Sequence, residues 1–142
     1  PDGRLLASGD RRGQIIVWDM DGEQPPLQLT APDDEVFSLM FSPDSQILAS
    51  AGRNQTITLW DMNNYGILGQ PLRGHTAWIE SLMFSADGNL LASGDRDGIV
   101  IVWDLNIDSW IARACRLANR NLTQIEWERF IPDEVYRTTC SS

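Results

Sequence analysis

Lysine is absent: all 11 basic residues are arginine, set against 20 acids, for a formal charge of −9. Such a chain lacks the phosphate-neutralising stripe of a nucleic-acid binder, which argues against DNA, RNA and anionic membranes as partners. Histidine occurs once, at His75, which excludes a His-rich zinc site. Cysteine occurs twice, at Cys115 and Cys140. Two cysteines do not make a disulfide framework, so reduced thiols in the cytoplasm are expected, with a local bridge between them as the alternative. No run approaches the roughly 18 apolar residues that a membrane span needs. Neither a phosphate-cradling glycine loop nor a glycine-punctuated calcium loop is present, so no cofactor and no metal are expected. The chain opens at Pro1 rather than Met and is silent about targeting.

What the chain does have is repetition. Leu5–Asp19 reads LLASGDRRGQIIVWD and Leu90–Asp104 reads LLASGDRDGIVIVWD. Between them, SLMFSPDSQILASAGRNQTITLWD (38–61) aligns without a gap on SLMFSADGNLLASGDRDGIVIVWD (81–104). The Trp-Asp pairs at Trp18, Trp60 and Trp103 are therefore 42 and 43 residues apart. Each unit alternates polar and apolar residues, turns at a Ser/Pro/Asp/Gly cluster, runs apolar to Ala-Ser, turns again and closes on a β-branched run ending in Trp-Asp. That order predicts strands joined by tight hairpins. The expected strands are 4–9, 14–18 and 26–30; then 35–41, 46–51, 56–60 and 67–72; then 78–84, 89–94 and 99–103.

On these residues the chain resembles the WD-repeat family of β-propellers, whose period of about 40–45 residues forms one four-stranded blade. The resemblance spans residues 1–104 and implies an all-β fold, a partial WD-repeat β-propeller of about two and a half blades, with repeats near 1–30, 31–73 and 74–104. Pro1-Asp2-Gly3 aligns on Ala86-Asp87-Gly88, the turn after an innermost strand. The first unit thus lacks its strand a and the third its strand d, which leads us to expect the C-terminal part of a longer propeller.

The resemblance also implies a structural hydrogen-bond network of His75, Ser93, Asp97 and Trp103 in the third repeat. In the second repeat it leaves Ser50 and Trp60, with Asn54 in the place of the acid; in the first it leaves Ser8 and Trp18, with Arg12 in that place. A Ser-His-Asp hydrolase site is the competing reading. It fails because Ser93 lies inside a strand, without a nucleophile elbow or oxyanion hole around it. Recognition in the family is carried by blade-top loops, which makes Trp78, Arg53, Arg96, Asp34 and Glu35 the candidate partner-binding residues.

Beyond residue 104 the composition shifts. Residues 1–104 hold 15 acids against 6 arginines, and the remainder 5 against 5. Over 108–120 the apolar residues Trp110, Ile111, Ala114, Cys115, Leu117 and Ala118 recur at helical spacing, and Thr123 to Glu126 is a capping box for a second helix carrying Ile125, Trp127 and Phe130. A short α-helical C-terminal extension over 105–142 is expected. It resembles the tail that follows many bacterial, especially cyanobacterial, WD-repeat domains at the end of larger regulators bearing an NTPase, protease-like or kinase domain. The function implied is a non-catalytic scaffold or sensor for a protein or peptide partner. The alternatives are a short WD-repeat protein that self-assembles into a complete ring and, less favoured, a propeller-based enzyme.

Overall fold

The computed structural model describes residues 1–30, 35–106, 109 and 123. The expected helices of the tail, with Cys115 and Cys140, and the candidate Asp34 lie outside the described residues. By contacts the chain divides into two compact units, Pro1–Trp103 and Asp104–Ser142. Among the described residues no helix is long and apolar enough to cross a membrane.

Among the described residues ten strands form three antiparallel sheets, each built from neighbours in sequence. β1 (Leu5–Gly9), β2 (Gln14–Asp19) and β3 (Leu27–Thr30) make the first. β4 (Val36–Phe41), β5 (Ile47–Gly52), β6 (Thr56–Asp61) and β7 (Leu72–Arg73) make the second. β8 (Ile79–Phe84), β9 (Leu90–Asp95) and β10 (Val100–Asp104) make the third. The described region is all-β, in the order that consecutive propeller blades require.

The turns explain the register. Between β4 and β5, Ser42 Oγ donates to Asp44 Oδ1 (2.5 Å), which accepts from the Gln46 amide (3.1 Å). Between β8 and β9, Ser85, Asp87 and Asn89 repeat this (2.5 and 3.1 Å). The bonds from Ser85 and Asn89 hold the Asp87 carboxyl down at about 2. Such Asp-centred turns fix where each hairpin reverses, and with it which face every following side chain takes.

One strand is shorter than expected. The outer strand of the second sheet, read as 67–72, is only Leu72–Arg73, preceded by a single bridge from Trp60 to Ile67. Tyr65 and Gly69 take left-handed φ angles of 61° and 64°, and Pro71 has no amide to donate, so the ladder is interrupted where an edge strand can tolerate it.

Alternation then builds the core between sheets. Ile15 and Val17 of β2 and Leu29 of β3 are buried with Leu48 and Trp60 of the second sheet and Met62 just beyond β6, with Leu5, Leu27, Val36, Leu39 and Phe41 packed around them. The second sheet's other buried face carries Ala49 and Ile57, and Ile79, Leu82 and Leu91 of the third sheet are also buried. β4 lies next to both β1 and β8, so the first strand of each sheet neighbours that of the next. The β5–β6 and β9–β10 hairpins consequently open at the same end of adjacent sheets, beside the heads of β4 and β8.

Candidate interaction surface

Two constellations occupy that end, one buried and one at the surface. In the third sheet, His75 Nδ1 lies 2.7 Å from Asp95 Oδ2 and its Nε2 lies 2.6 Å from Ser93 Oγ, while Trp103 Nε1–H donates to the same Oγ at 2.8 Å. With a neutral imidazole the proton chain runs from Trp103 through Ser93 and His75 to Asp95. With an imidazolium, Nε2–H donates to Ser93, whose hydroxyl turns to the Ile101 carbonyl at 3.4 Å. Either way every member is satisfied.

The acid of this network is Asp95, which corrects the expectation of Asp97. A strand alternates with period two, so Leu91, Ser93 and Asp95 share the buried face of β9, whereas Asp97 is exposed in the hairpin turn and contributes its amide to Asp95 Oδ1 (3.1 Å). Burial pushes the Asp95 carboxyl up, but the bonds from His75 and from the amides of Ile99 and Asp97 outweigh it and hold the group below the usual carboxylate range.

The same correction moves the comparison in the other repeats. The positions equivalent to Asp95 are Asp10 and Gly52, not Arg12 and Asn54. Asp10 repeats the hairpin role of Asp95, its Oδ1 accepting from the amides of Arg12 (2.8 Å) and Gln14 (3.0 Å). Gly52 has no room for an acid: a Cβ there would stand 1.8 Å from the Glu35 carbonyl oxygen. The Ser-Trp bond survives in both, from Trp18 to Ser8 (3.1 Å) and from Trp60 to Ser50 (2.8 Å).

An Asp–His–Ser chain is also what an acyl-transfer enzyme uses, so its surroundings decide its role. Ser93 is 1% exposed, sits in mid-strand, and already accepts a bond from an indole. The hydroxyl is buried, and the arrangement ties the segment before β8 to the β9–β10 hairpin. Among the described residues no cluster of His, Cys, Asp and Glu is placed to hold a metal.

The second constellation centres on the half-buried Trp78, at the head of β8, and its outer members are exposed. The guanidinium carbons of Arg53 and Arg96 lie over its ring, 5.2 and 5.0 Å from the centroid. Phe37, 37% exposed, meets the same ring with centroids 5.9 Å apart and planes tilted by 50°. Arg53 also reaches Glu35 at 3.6 Å. Each cation–π contact at such an exposed site contributes about 0.5–1 kcal/mol, enough to hold a flexible arginine in place and little more.

Backbone geometry assembles the group. Arg53 N–H donates to the Glu35 carbonyl (3.1 Å), and Arg96 N–H donates to the Trp78 carbonyl (2.9 Å), so each hairpin is pinned to the head of its own sheet's first strand. The register shifts between Val36 and Ser38 and again between Ile79 and Ser81. These matching bulges leave Phe37 and Glu80 as the extra residues, which turns Phe37 toward Trp78. Of the candidates read from sequence, the structure brings together Trp78, Arg53, Arg96 and Glu35. Phe37 was missed, because a bulge leaves no mark in an alternating pattern.

A scan against protein-family models matches the WD domain, G-beta repeat, at residues 1–19, 23–61 and 66–104. A search of the curated proteins gives no match. The family model covers more than half of the chain, and its three matches each close on one of the Trp-Asp pairs whose indoles bond to the strand serines. The chain belongs to the WD domain, G-beta repeat family.

Proposed function

We propose that this chain is a non-catalytic interaction module that recognises a protein or peptide partner at the hairpin end of its blades. The observation that carries the reading is the cluster at that end in which exposed Phe37, Arg53 and Arg96 surround the half-buried ring of Trp78. Tryptophan and arginine are the side chains most often responsible for binding energy at interfaces, and here both arginines are already ordered on the indole before a partner arrives. The repeats supply a rigid platform for it, as WD repeats generally do in protein–protein scaffolds. Within a larger regulatory protein, the role the tail's resemblance supports, the cluster serves as the sensing or docking end.

A photo-crosslinking amino acid placed at position 96 tests this, with position 65 as the control, since Tyr65 follows β6 at the opposite end. The expected result is one partner captured from 96 and not from 65, whose purified form binds the wild type and loses affinity for R53Q/R96Q. Equal capture at both positions, or none, overturns the reading.

A second reading concerns assembly, and the exposed apolar faces favour it. On the third sheet Met83 (65% exposed), Val100 (68%) and Val102 (59%) face outward. Their equivalents Ile15 and Val17 in the first sheet are buried against the next sheet. The third sheet therefore presents the face on which a further blade packs, whether from a longer chain or from a second copy.

A further inference from the structure

At the end opposite the Trp78 cluster, a cavity of about 240 Å³ lies between the first two sheets, its lining including Asp2, Leu5, Asp44, Ser45, Met62 and Tyr65. Ser45 is the odd member. Its equivalents in the other repeats are Gly3 (φ 81°) and Gly88 (φ 74°), and Ser45 keeps the same left-handed backbone at φ 60°. A serine is strained where those glycines are not. Its hydroxyl is also left over: Ser45 is 8% exposed, and its buried Oγ makes no hydrogen bond among the described residues. Tyr65 takes a left-handed φ of 61°, so two of the three non-glycine residues of this kind among the described residues border the one cavity. Strain and an unmet buried hydroxyl are costs that a fold retains where a ligand uses them.

The charge around this cavity is negative. Asp2, Asp19, Asp21, Glu23, Asp44 and Asp61 all fall in or beside turns at this end of the first two sheets, against Arg4 and the amino group of Pro1. Arg4 is drawn to Asp21 at 3.7 Å. Asp2 Oδ1 accepts from the Arg4 amide (3.0 Å), and Asp44 Oδ1 accepts from the Ser42 hydroxyl (2.5 Å) and the Gln46 amide (3.1 Å), which leaves the Oδ2 of each to a ligand. The Arg4 amide, helped by the Pro1 amino group and the nearby Ser45 hydroxyl, holds Asp2 below the usual carboxylate range. The Ser42 hydroxyl and the Gln46 amide do the same for Asp44, so both groups are anions at neutral pH.

We propose that this cavity binds a small primary alkylammonium ion, its N–H donors shared among the Asp2 and Asp44 carboxylates and the Ser45 hydroxyl, its alkyl stem against Leu5, Met62 and Tyr65. Three acceptors match the three donors of an ammonium, and the Tyr65 ring adds its own attraction for a cation. The volume of about 240 Å³ falls below the roughly 300–1,000 Å³ of pockets for drug-sized ligands, which suits a free amine of few heavy atoms rather than a peptide. The site lies apart from the recognition surface at Trp78 and does not rest on that reading.

The test is ligand-observed saturation-transfer NMR, with n-butylammonium titrated into the full 142-residue chain at low salt. Saturable binding is expected, weakened by added salt and absent for 1-butanol, which has the stem without the charge. Ser45→Gly removes the hydroxyl and the strain together. It is expected to weaken binding at least about fivefold while raising the thermal midpoint, a combination that a serine kept for stability does not give. Asp2→Asn, at an exposed residue, is expected to weaken binding about tenfold. No saturable binding, equal binding of 1-butanol, or full affinity in both variants overturns the assignment. Tighter binding of Nα-acetyl-lysine methylamide than of n-butylammonium also overturns it, in favour of a peptide side chain. Partner capture at position 96 reads the other end of the sheets, so the two readings fail independently.

Discussion

Ser93 and Ser8 hold the same place in their repeats and make the same bond to an indole, yet their contexts differ. Ser93 is 1% exposed and serves both His75 and Trp103, while Trp18, the partner of Ser8, is 39% exposed. Removing the hydroxyl from Ser93 strands the buried His75 imidazole and the half-buried Trp103 indole N–H, and a buried group left without a partner costs about 1–3 kcal/mol. Ser93→Ala is therefore expected to lower unfolding free energy by about 3 kcal/mol, and Ser8→Ala by less than about 1 kcal/mol, where water replaces the bond. Denaturant titration of the two variants checks this; equal losses would mean that the His75 network adds nothing to the Ser-Trp bond. At this scale the sequence was legible for Ser8, Ser50 and Ser93 with their tryptophans, because each pair is 10 residues apart in one hairpin. It misplaced the acid at Asp97, because the family's spacing points there whereas the two-residue period of β9 puts Asp95 on the face of Ser93.

Hairpins show how one blade departs from its siblings. The left-handed position of the hairpin turn is Gly13 (φ 74°) in the first sheet and Gly98 (φ 83°) in the third, but Gln55 (φ 63°) in the second. A side chain there costs about 1 kcal/mol or more in the folded state, against a smaller entropic penalty for glycine in the unfolded chain. Gln55→Gly is expected to stabilise the protein by about 0.5 kcal/mol, read as a raised thermal midpoint. A lowered midpoint would show that the Gln55 side chain makes contacts worth more than its strain. Strand positions were legible from alternation and turn residues, with β1 to β6 and β8 to β10 falling within a residue or two of expectation. The truncation of β7 was not, since the repeat period marks where a fourth strand falls but not that left-handed Gly69 and Pro71 interrupt it.

For the molecule as a whole, the apolar faces at the two ends of the sheet series set behaviour in solution. Met83, Val100 and Val102 are exposed on the third sheet, and Leu6 (53%) and Met20 (58%) on the first. Faces of this kind are the ones that pack in the middle of the series, so they complement each other head to tail. The isolated chain is expected to associate with rising concentration, and V100E/V102E to elute as a monomer in light-scattering chromatography. These valines are exposed, so the charges do not touch the core. A wild-type chain that stays monomeric throughout would overturn the assembly reading.

Sequence alone determined the repeat, the strand order and the turns, and the family resemblance added the three Ser-Trp pairs, each held within one hairpin. Only the tertiary structure decided that His75 meets Asp95, that Glu35 excludes a side chain at position 52, and that arginines from two blades converge on Trp78. The physical reason is distance along the chain. Period and turn chemistry act over a few residues, whereas His75 and Asp95 are 20 apart, and Arg53 reaches Trp78 only because one sheet packs beside the next.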